Sequence, residues 1–301
     1  MVIPSRALKR LAVLVAALAF AVLVGLGAYA DFGDLGDALG DFRWELFPAA
    51  LALTFVNYLV RFWRWQVYLR RLEIRVPAQR SFWIFFAGQT MTLSPGKVGE
   101  VLKSVLLKRS FDVPIRRSAP IVLAERITDG LGVVVIAAVA GGFAAGSWEV
   151  IAVTVTGAAL LVVAVRLPLL DRFGPLAEAR AAASEILGVG LLASMTVVSA
   201  GAWFCECLAS YVCVRGLGLD VSLADVAVAF SVAGLVGAIS FVPGGLGVTE
   251  AGFTGLLRVL ADVPRAPAAA ATVLTRLATL WFAVALGLVA LAVDRRLSRQ
   301  P

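Results

Sequence analysis

Long apolar runs separated by short polar segments are the main pattern of this chain. The hydrocarbon core of a bilayer is about 30 Å thick, and a helix of about 20 apolar residues crosses it. The pattern predicts six crossings, at residues 11–30, 47–69, 119–146, 150–169, 186–214 and 268–293. A cleaved signal peptide is the alternative for the first run, which exceeds the usual length of such a segment and is followed by further spans.

Two other apolar stretches, residues 81–95 and 226–249, are interrupted by Pro-Gly clusters. Interruptions of this kind are typical of broken or re-entrant helices. Six crossings leave both termini on one side only if each interrupted stretch returns to the side from which it entered. We therefore expect re-entrant hairpins at about 81–105 and about 224–258.

The two interrupted stretches resemble each other and indicate an internal repeat. Residues 87–100 read AGQTMTLSPGKVGE, and residues 233–250 read AGLVGAISFVPGGLGVTE. Downstream, VLAERITD at 122–129 matches VLTRLAT at 273–279. Each copy would hold three crossings, so the second must be inverted, as in many transporters with a substrate site between the repeats.

The predicted fold is therefore an all-α polytopic membrane protein, with six crossings and two re-entrant hairpins in an inverted 3+3 repeat. We expect one membrane domain over residues 1–301. Its first repeat is predicted at 8–146 and its second at 147–295.

Composition supports membrane insertion and excludes several kinds of chemistry. The chain is 60% hydrophobic and 16% charged, with too few charges to cover a water-facing surface. It contains no histidine, which excludes Ser-His-Asp and Cys-His catalysis and histidine-ligated zinc. Its three cysteines, Cys205, Cys207 and Cys213, are interpreted as packing residues. We expect neither a cofactor nor a metal.

The distribution of basic residues predicts the orientation. Eighteen of the 27 Lys and Arg lie in five segments, at residues 6–10, 70–80, 103–117, 166–180 and 295–299. The positive-inside rule then places both termini in the cytoplasm. Topology and anionic lipid headgroups explain the net charge of +7, so no nucleic acid partner is expected.

Ten charged residues lie in or beside apolar segments, where each costs roughly 2.5–3.5 kcal/mol at the bilayer centre. They must face a polar cavity, find partners or lie shallow. Asn57, Arg61, Arg64 and Tyr68 follow helical spacing and predict one polar stripe, although Arg64 and Tyr68 could instead snorkel to the interface. The ten residues are Arg61, Arg64, Lys97, Glu100, Glu125, Arg126, Asp129, Glu206, Glu250 and Arg276.

The first hairpin carries the most specific motif, Ser94-Pro95-Gly96-Lys97-Val98-Gly99-Glu100. Proline and glycine favour a turn, with a new helix starting near Gly99. The free amides of that helix and Lys97 would form an anion site, and Glu100 could cap the turn, pair with Lys97 or carry a proton. A purely structural hairpin is the alternative. The second copy offers the turn without the lysine, through Pro243, Gly244, Gly245, Gly247 and Glu250.

The motifs SPGKVGE, AERITD, VPGGLGVTE and RFWRW together resemble the transmembrane-region family of lysylphosphatidylglycerol synthase, over roughly residues 8–295. This is the flippase portion of multiple peptide resistance factors and also occurs as stand-alone proteins. The resemblance implies a polytopic fold that moves or binds lipids with polar headgroups. Its bifunctional members continue into an aminoacyl-transferase domain, whereas this sequence ends at Pro301, so we expect no enzymatic activity. By position it highlights Arg61, Arg64, Pro95, Gly96, Lys97, Gly99, Glu100, Glu125, Arg126, Asp129, Pro243, Gly244, Gly247, Glu250 and Arg276.

The leading hypothesis is a flippase or lipid-binding transporter in a bacterial or archaeal cytoplasmic membrane. Its expected partners are anionic or polyprenyl-linked lipids, with a homodimer as an open option. The arginines and Lys97 would bind phosphate, while the carboxylates would bind a cationic headgroup or couple protons. An ion-coupled transporter of a small solute is the first alternative. The second is an intramembrane enzyme that uses Glu100, Glu125 and Asp129 to hold a divalent ion.

Overall fold

A computed structural model of the chain describes residues 5–94, 99–147, 149, 152, 156 and 188–297, with the backbone alone for 5–15, 18 and 295. The regular elements in these ranges are helices, which confirms the all-α prediction. We number the α-helices within the described ranges: α1 Ser5–Ala30, α2 Phe32–Gly40, α3 Phe47–Arg71, α4 Ala78–Gly88, α5 Leu102–Phe111, α6 Ile115–Ala145, α7 Val189–Gly216, α8 Leu223–Ile239, α9 Val248–Ala261, α10 Arg265–Arg276 and α11 Phe282–Leu297.

Several of these helices are long and apolar enough to cross a membrane. Four single spans are found among the described residues: Trp44–Arg71, Ile115–Ala145, Val189–Gly216 and Arg265–Asp294. They correspond to the second, third, fifth and sixth predicted crossings. In the last span, α10 and α11 join through a π-helical turn at Leu277–Trp281. The fourth predicted crossing, at 150–169, lies outside the described residues, so the six-crossing topology stays a prediction.

The first predicted crossing ends in a sharp bend. Helix α1 runs to Ala30, and the segment Ala19–Ala30 meets α2 at 97°. Asp31 forms the corner with a φ of 68°, and its Oδ1 accepts a hydrogen bond of 2.9 Å from the amide of Gly33. The acidic segment after α1 thus contains a short helix.

The order of helices repeats along the chain. A long helix (α3), a short helix (α4), a break, a short helix (α5) and a long helix (α6) are followed by the same series in α7 to α11. The short helices α5 and α9 both end at an aspartate in the left-handed region, with φ of 56° at Asp112 and 50° at Asp262. Each aspartate begins an Asp-Val-Pro sequence, the second 150 positions after the first. These matches support the predicted repeat, whereas the inversion stays a prediction.

Both interrupted stretches are broken helices in the structure. After α4 the chain forms a 3-10 turn at Gln89–Leu93, and helical turns resume at Gly99 and lead into α5. After α8, Gly244, Gly245 and Gly247 take positive φ values of 63°, 65° and 85°. A Cβ on Gly245 would also lie 2.5 Å from the Thr249 hydroxyl, so this turn requires glycine.

Helix α7 packs against α3, α6 and α8. Helices α6 and α7 approach each other closely, since a Cβ on Gly132 would lie 2.7 Å from the backbone nitrogen of Ala200. Glycine thus allows the two backbones to touch, as small residues do in membrane helix pairs.

Replacing Gly132 by alanine is expected to destabilise the protein by about 1–3 kcal/mol, because the new methyl group forces α6 and α7 apart. Gly130 is the matched control on the same helix, since a Cβ there meets nothing within 4 Å. Gly130→Ala should be neutral or slightly stabilising, by up to about 1 kcal/mol from helix propensity. Thermal unfolding in detergent, followed by circular dichroism, measures both variants. Equal losses in the two would contradict this account of the helix contact.

Candidate functional site

A cavity of about 360 Å³ lies between the two sets of helices. Residues of α3, the first break and α6 line it together with residues of α7, α8 and the second break. Its charged lining residues are Arg61, Asp129, Arg126, Glu206 and Arg276. The cavity therefore brings together five of the ten charges that the sequence placed in apolar segments.

Asp129 lies at the centre of a cluster of arginine side chains. Its Oδ1 accepts hydrogen bonds of 2.6 Å from Arg64 and 2.6 Å from the Ser199 hydroxyl. Its Oδ2 accepts from Arg126 at 3.0 Å and from Arg61 at 3.5 Å. A carboxylate offers about four lone-pair positions, so Asp129 is fully occupied by these donors. One buried aspartate thus holds three arginines.

The polar stripe on α3 is present as predicted. Asn57, Arg61, Arg64 and Tyr68 are all buried. The Arg64 side chain has no exposed area and donates to Thr128 at 3.1 Å as well as to Asp129. The alternative that Arg64 and Tyr68 snorkel to the interface is therefore wrong. The guanidinium of Arg61 lies 5.6 Å from the centre of the Trp203 ring.

Lys103 is a buried residue that sequence reasoning missed, because it was counted with the cytoplasmic basic segment 103–117. Its ammonium lies 2.5 Å from the Glu125 carboxylate and 3.5 Å from that of Glu100. It also lies over the Trp65 ring, 4.8 Å from its centre. The absence of a side chain at Gly88 makes room for it, since a Cβ there would lie 2.5 Å from the lysine stem. The tight packing around that stem fixes the ammonium between the two glutamates.

A glutamate–arginine pair recurs in both sets of helices. Glu100 binds Arg126 at 3.1 Å, and Glu250 binds Arg276 at 2.6 Å. The two residues of each pair are 26 positions apart. Arg276 also donates to the Gly244 carbonyl at 2.7 Å, which ties α10 to the second break.

The broken turns hold the other predicted site residues. Pro95, Gly96 and Lys97 lie outside the described residues. The Gly99 amide, proposed for anion binding, donates to the Ser94 hydroxyl at 2.8 Å, and the Gly247 amide donates to Glu250 at 2.6 Å. Both amides are therefore engaged within the protein. Pro243 begins the second turn, and Gly244 and Gly245 line the cavity.

The carboxylates considered as metal ligands are bound to cations of the protein instead. Glu125 pairs with Lys103, Glu100 with Arg126, and Asp129 with its arginines. Within the ranges that the structure describes, no group of three or more Asp, Glu or Cys is placed to hold a metal ion.

Comparisons with known proteins find similarity along almost the whole chain. The family model described as "Lysylphosphatidylglycerol synthase TM region" matches residues 11–287. Two matches are to proteins named UPF0104 membrane protein from Methanothermobacter thermautotrophicus. One is 31% identical over 106 residues, covering 35% of this chain and 30% of the relative. The other is 36% identical over 89 residues, covering 30% of this chain and 26% of the relative. The chain thus matches about a third or less of the length of these curated relatives.

Proposed function

Since this chain belongs to the lysylphosphatidylglycerol synthase transmembrane-region family, whose members are membrane proteins with a lipid-related role, we propose that it is a lipid flippase or lipid-binding transporter. Its substrate is a lipid with a polar, phosphate-bearing headgroup. The headgroup enters the cavity between the two repeats, and the acyl or prenyl chains stay in the bilayer. Both termini lie in the cytoplasm of a bacterial or archaeal cell.

The observation that carries this proposal is the loosely held guanidinium of Arg61. Arg126 and Arg276, the other arginines of the cavity, have carboxylate partners at 3.0 Å and 2.6 Å. The contact of Arg61 with Asp129 is longer, at 3.5 Å. Its Nε, like that of Arg126, has no hydrogen-bond partner among the described residues, so the long contact with Asp129 is what distinguishes Arg61. A phosphate can therefore recruit Arg61 at little cost, because guanidinium and phosphate form strong charge-assisted hydrogen bonds.

Apolar side chains beside the cavity suit the lipid tails. Phe230, Leu235 and Phe241 line it together with the charged residues. Phe241 is 70% exposed, and the neighbouring Ile239 is 73% exposed. In a membrane protein these surfaces face hydrocarbon, so a lipid can place its headgroup inside while its chains remain outside.

The direct test is lipid movement in liposomes, with a headgroup-labelled phospholipid and an impermeant quencher. Arg61→Gln is expected to slow the movement about 10- to 100-fold, because a hydrogen bond to a charged group contributes about 1.5–3 kcal/mol. The matched control is Arg70→Gln, an exposed arginine on the same helix, which should leave the rate unchanged. Equal rates in wild type and Arg61→Gln would contradict the mechanism. Transport of a soluble anion without lipid movement would favour the solute-transporter alternative.

A further inference from the structure

Neutral hydrogen-bonding side chains form a second part of the same cavity. They come from both broken regions and from the π-helical turn before α11. These residues are Gln89, Thr92, Ser94, Thr249 and Thr279. The cavity lining thus combines the charged residues around Asp129 with several hydroxyl groups.

The position of Thr279 shows that the two sets of helices differ in a regular way. Thr279 lies 150 positions after Asp129, and Thr275 lies 150 positions after Glu125. The glutamate–arginine pairs have the same offset, from Glu100 to Glu250. At two of these positions, those of Glu125 and Asp129, the second set of helices carries a threonine hydroxyl in place of the carboxylate.

Three of these hydroxyl groups, those of Thr92, Ser94 and Thr279, donate their protons within the protein. Thr279 donates its own proton to the Thr275 carbonyl at 2.7 Å, and Ser94 donates to the Met91 carbonyl at 2.6 Å. Thr92 donates to Gln89 Oε1 at 3.3 Å. A hydroxyl that donates its proton in one hydrogen bond can still accept others through its lone pairs, and the NH2 group of Gln89 can still donate. This wall suits a ligand with several hydroxyl groups of its own.

The described lining offers a cationic headgroup no comparable set of available acceptors, because its carboxylates already have partners. Asp129 already accepts from four groups. Glu206, the other carboxylate of the lining, is not free either. The lining arginines outnumber the lining carboxylates among the described residues. Within the described part of the lining, an ammonium would therefore meet no unoccupied carboxylate.

Aromatic faces complete the neutral part. Tyr58, Trp203 and Phe230 also line the cavity. Binding sites for small molecules commonly combine such apolar surfaces with a few placed polar groups. The C–H faces of a polyol or sugar can pack on the rings while its hydroxyls reach the threonines.

We propose that the headgroup is polyhydroxylated, a glycerol or a sugar carried on the lipid phosphate, and not an aminoalkyl or aminoacyl group. The inference rests on the proposed function for the placement of the phosphate at Arg61. Thr279 acts as a specificity-determining residue, since its hydroxyl accepts from the headgroup.

Isothermal titration of the purified full chain in detergent tests this preference. The probes are sn-glycerol 3-phosphate, glucose 1-phosphate, phosphoethanolamine and inorganic phosphate. At least one polyol phosphate should bind about tenfold more tightly than phosphoethanolamine, and the ratio of the two polyol phosphates separates glycerol from sugar. Thr279→Val should lower the affinity for the preferred polyol phosphate, relative to inorganic phosphate, about tenfold. The control Thr196→Val changes a threonine outside the cavity lining and should leave that ratio unchanged.

The outcomes separate this inference from the proposed function. Equal or tighter binding of phosphoethanolamine, an unchanged ratio in Thr279→Val, or no binding of any phosphate overturns the inference. If lipids move in liposomes but phosphoethanolamine is preferred, the inference alone fails. If the polyol preference holds but no lipid moves, the proposed function alone fails.

Discussion

Replacing Asp129 by asparagine is expected to remove most of the folded protein. The substitution keeps the shape of the side chain but takes away the negative charge that Arg61, Arg64 and Arg126 share. Arg64 is fully buried and cannot turn to water. Breaking a buried ion pair by removing one partner costs about 3–5 kcal/mol, since it leaves an uncompensated charge. A loss of that size is comparable to the net stability of a typical protein.

Detergent-solubilised yield and thermal unfolding measure the Asp129→Asn effect, with Asp112→Asn as the matched control. Asp112 is exposed at the end of α5, and its hydrogen bond from Lys108 holds the pKa of its carboxyl below the ordinary value. The control therefore also removes a full negative charge at neutral pH. Asparagine is tolerated in the left-handed conformation of this position, so Asp112→Asn should unfold like wild type. Normal stability of Asp129→Asn would show that the three arginines do not need this carboxylate.

Replacing Lys103 by methionine is the second large effect that we expect. Methionine keeps the length of the stem, but Glu125 loses its partner in a buried position. The expected cost is again about 3–5 kcal/mol of unfolding free energy. Thermal unfolding in detergent measures it.

The double variant Lys103→Met/Glu125→Gln should recover most of that loss, because replacing both partners of a buried pair is often neutral. The matching positions of the second set of helices carry an uncharged pair. Phe253 and Thr275 occupy the positions 150 residues after Lys103 and Glu125, and both are buried. A coupling of several kcal/mol in the double-mutant cycle is therefore expected. Additive losses in the two single variants would contradict direct pairing.

Sequence reasoning predicted the long helices and the stripe on α3 because both depend on local periodicity. Asn57, Arg61 and Arg64 share one face through their spacing alone, and the apolar run around them indicates a buried helix. The breaks were predicted for a similar reason, since Pro-Gly clusters act on the local backbone.

The partners of the charges could not be predicted in this way. Lys103 follows a hairpin and precedes a basic segment, so its sequence context does not distinguish it from a surface lysine. Ser199 lies in an apolar run, where a single hydroxyl is unremarkable, and only the crossing of α6 and α7 brings it to Asp129. The repeated Asp-Val-Pro was a usable signal that was missed, because it fixes the 150-residue offset that aligns Lys103 with Phe253.

The unequal charges of the two copies have a consequence for the resting state of the protein. In the transport that we propose, a protein with two identical inverted halves would populate its inward-open and outward-open forms equally, because exchanging the halves converts one form into the other. One half holds buried ion pairs that involve Lys103, Glu125 and Asp129. The matching positions of the other half carry the uncharged residues Phe253, Thr275 and Thr279. The two forms then differ in electrostatic energy. Without lipid, one orientation of the cavity should prevail.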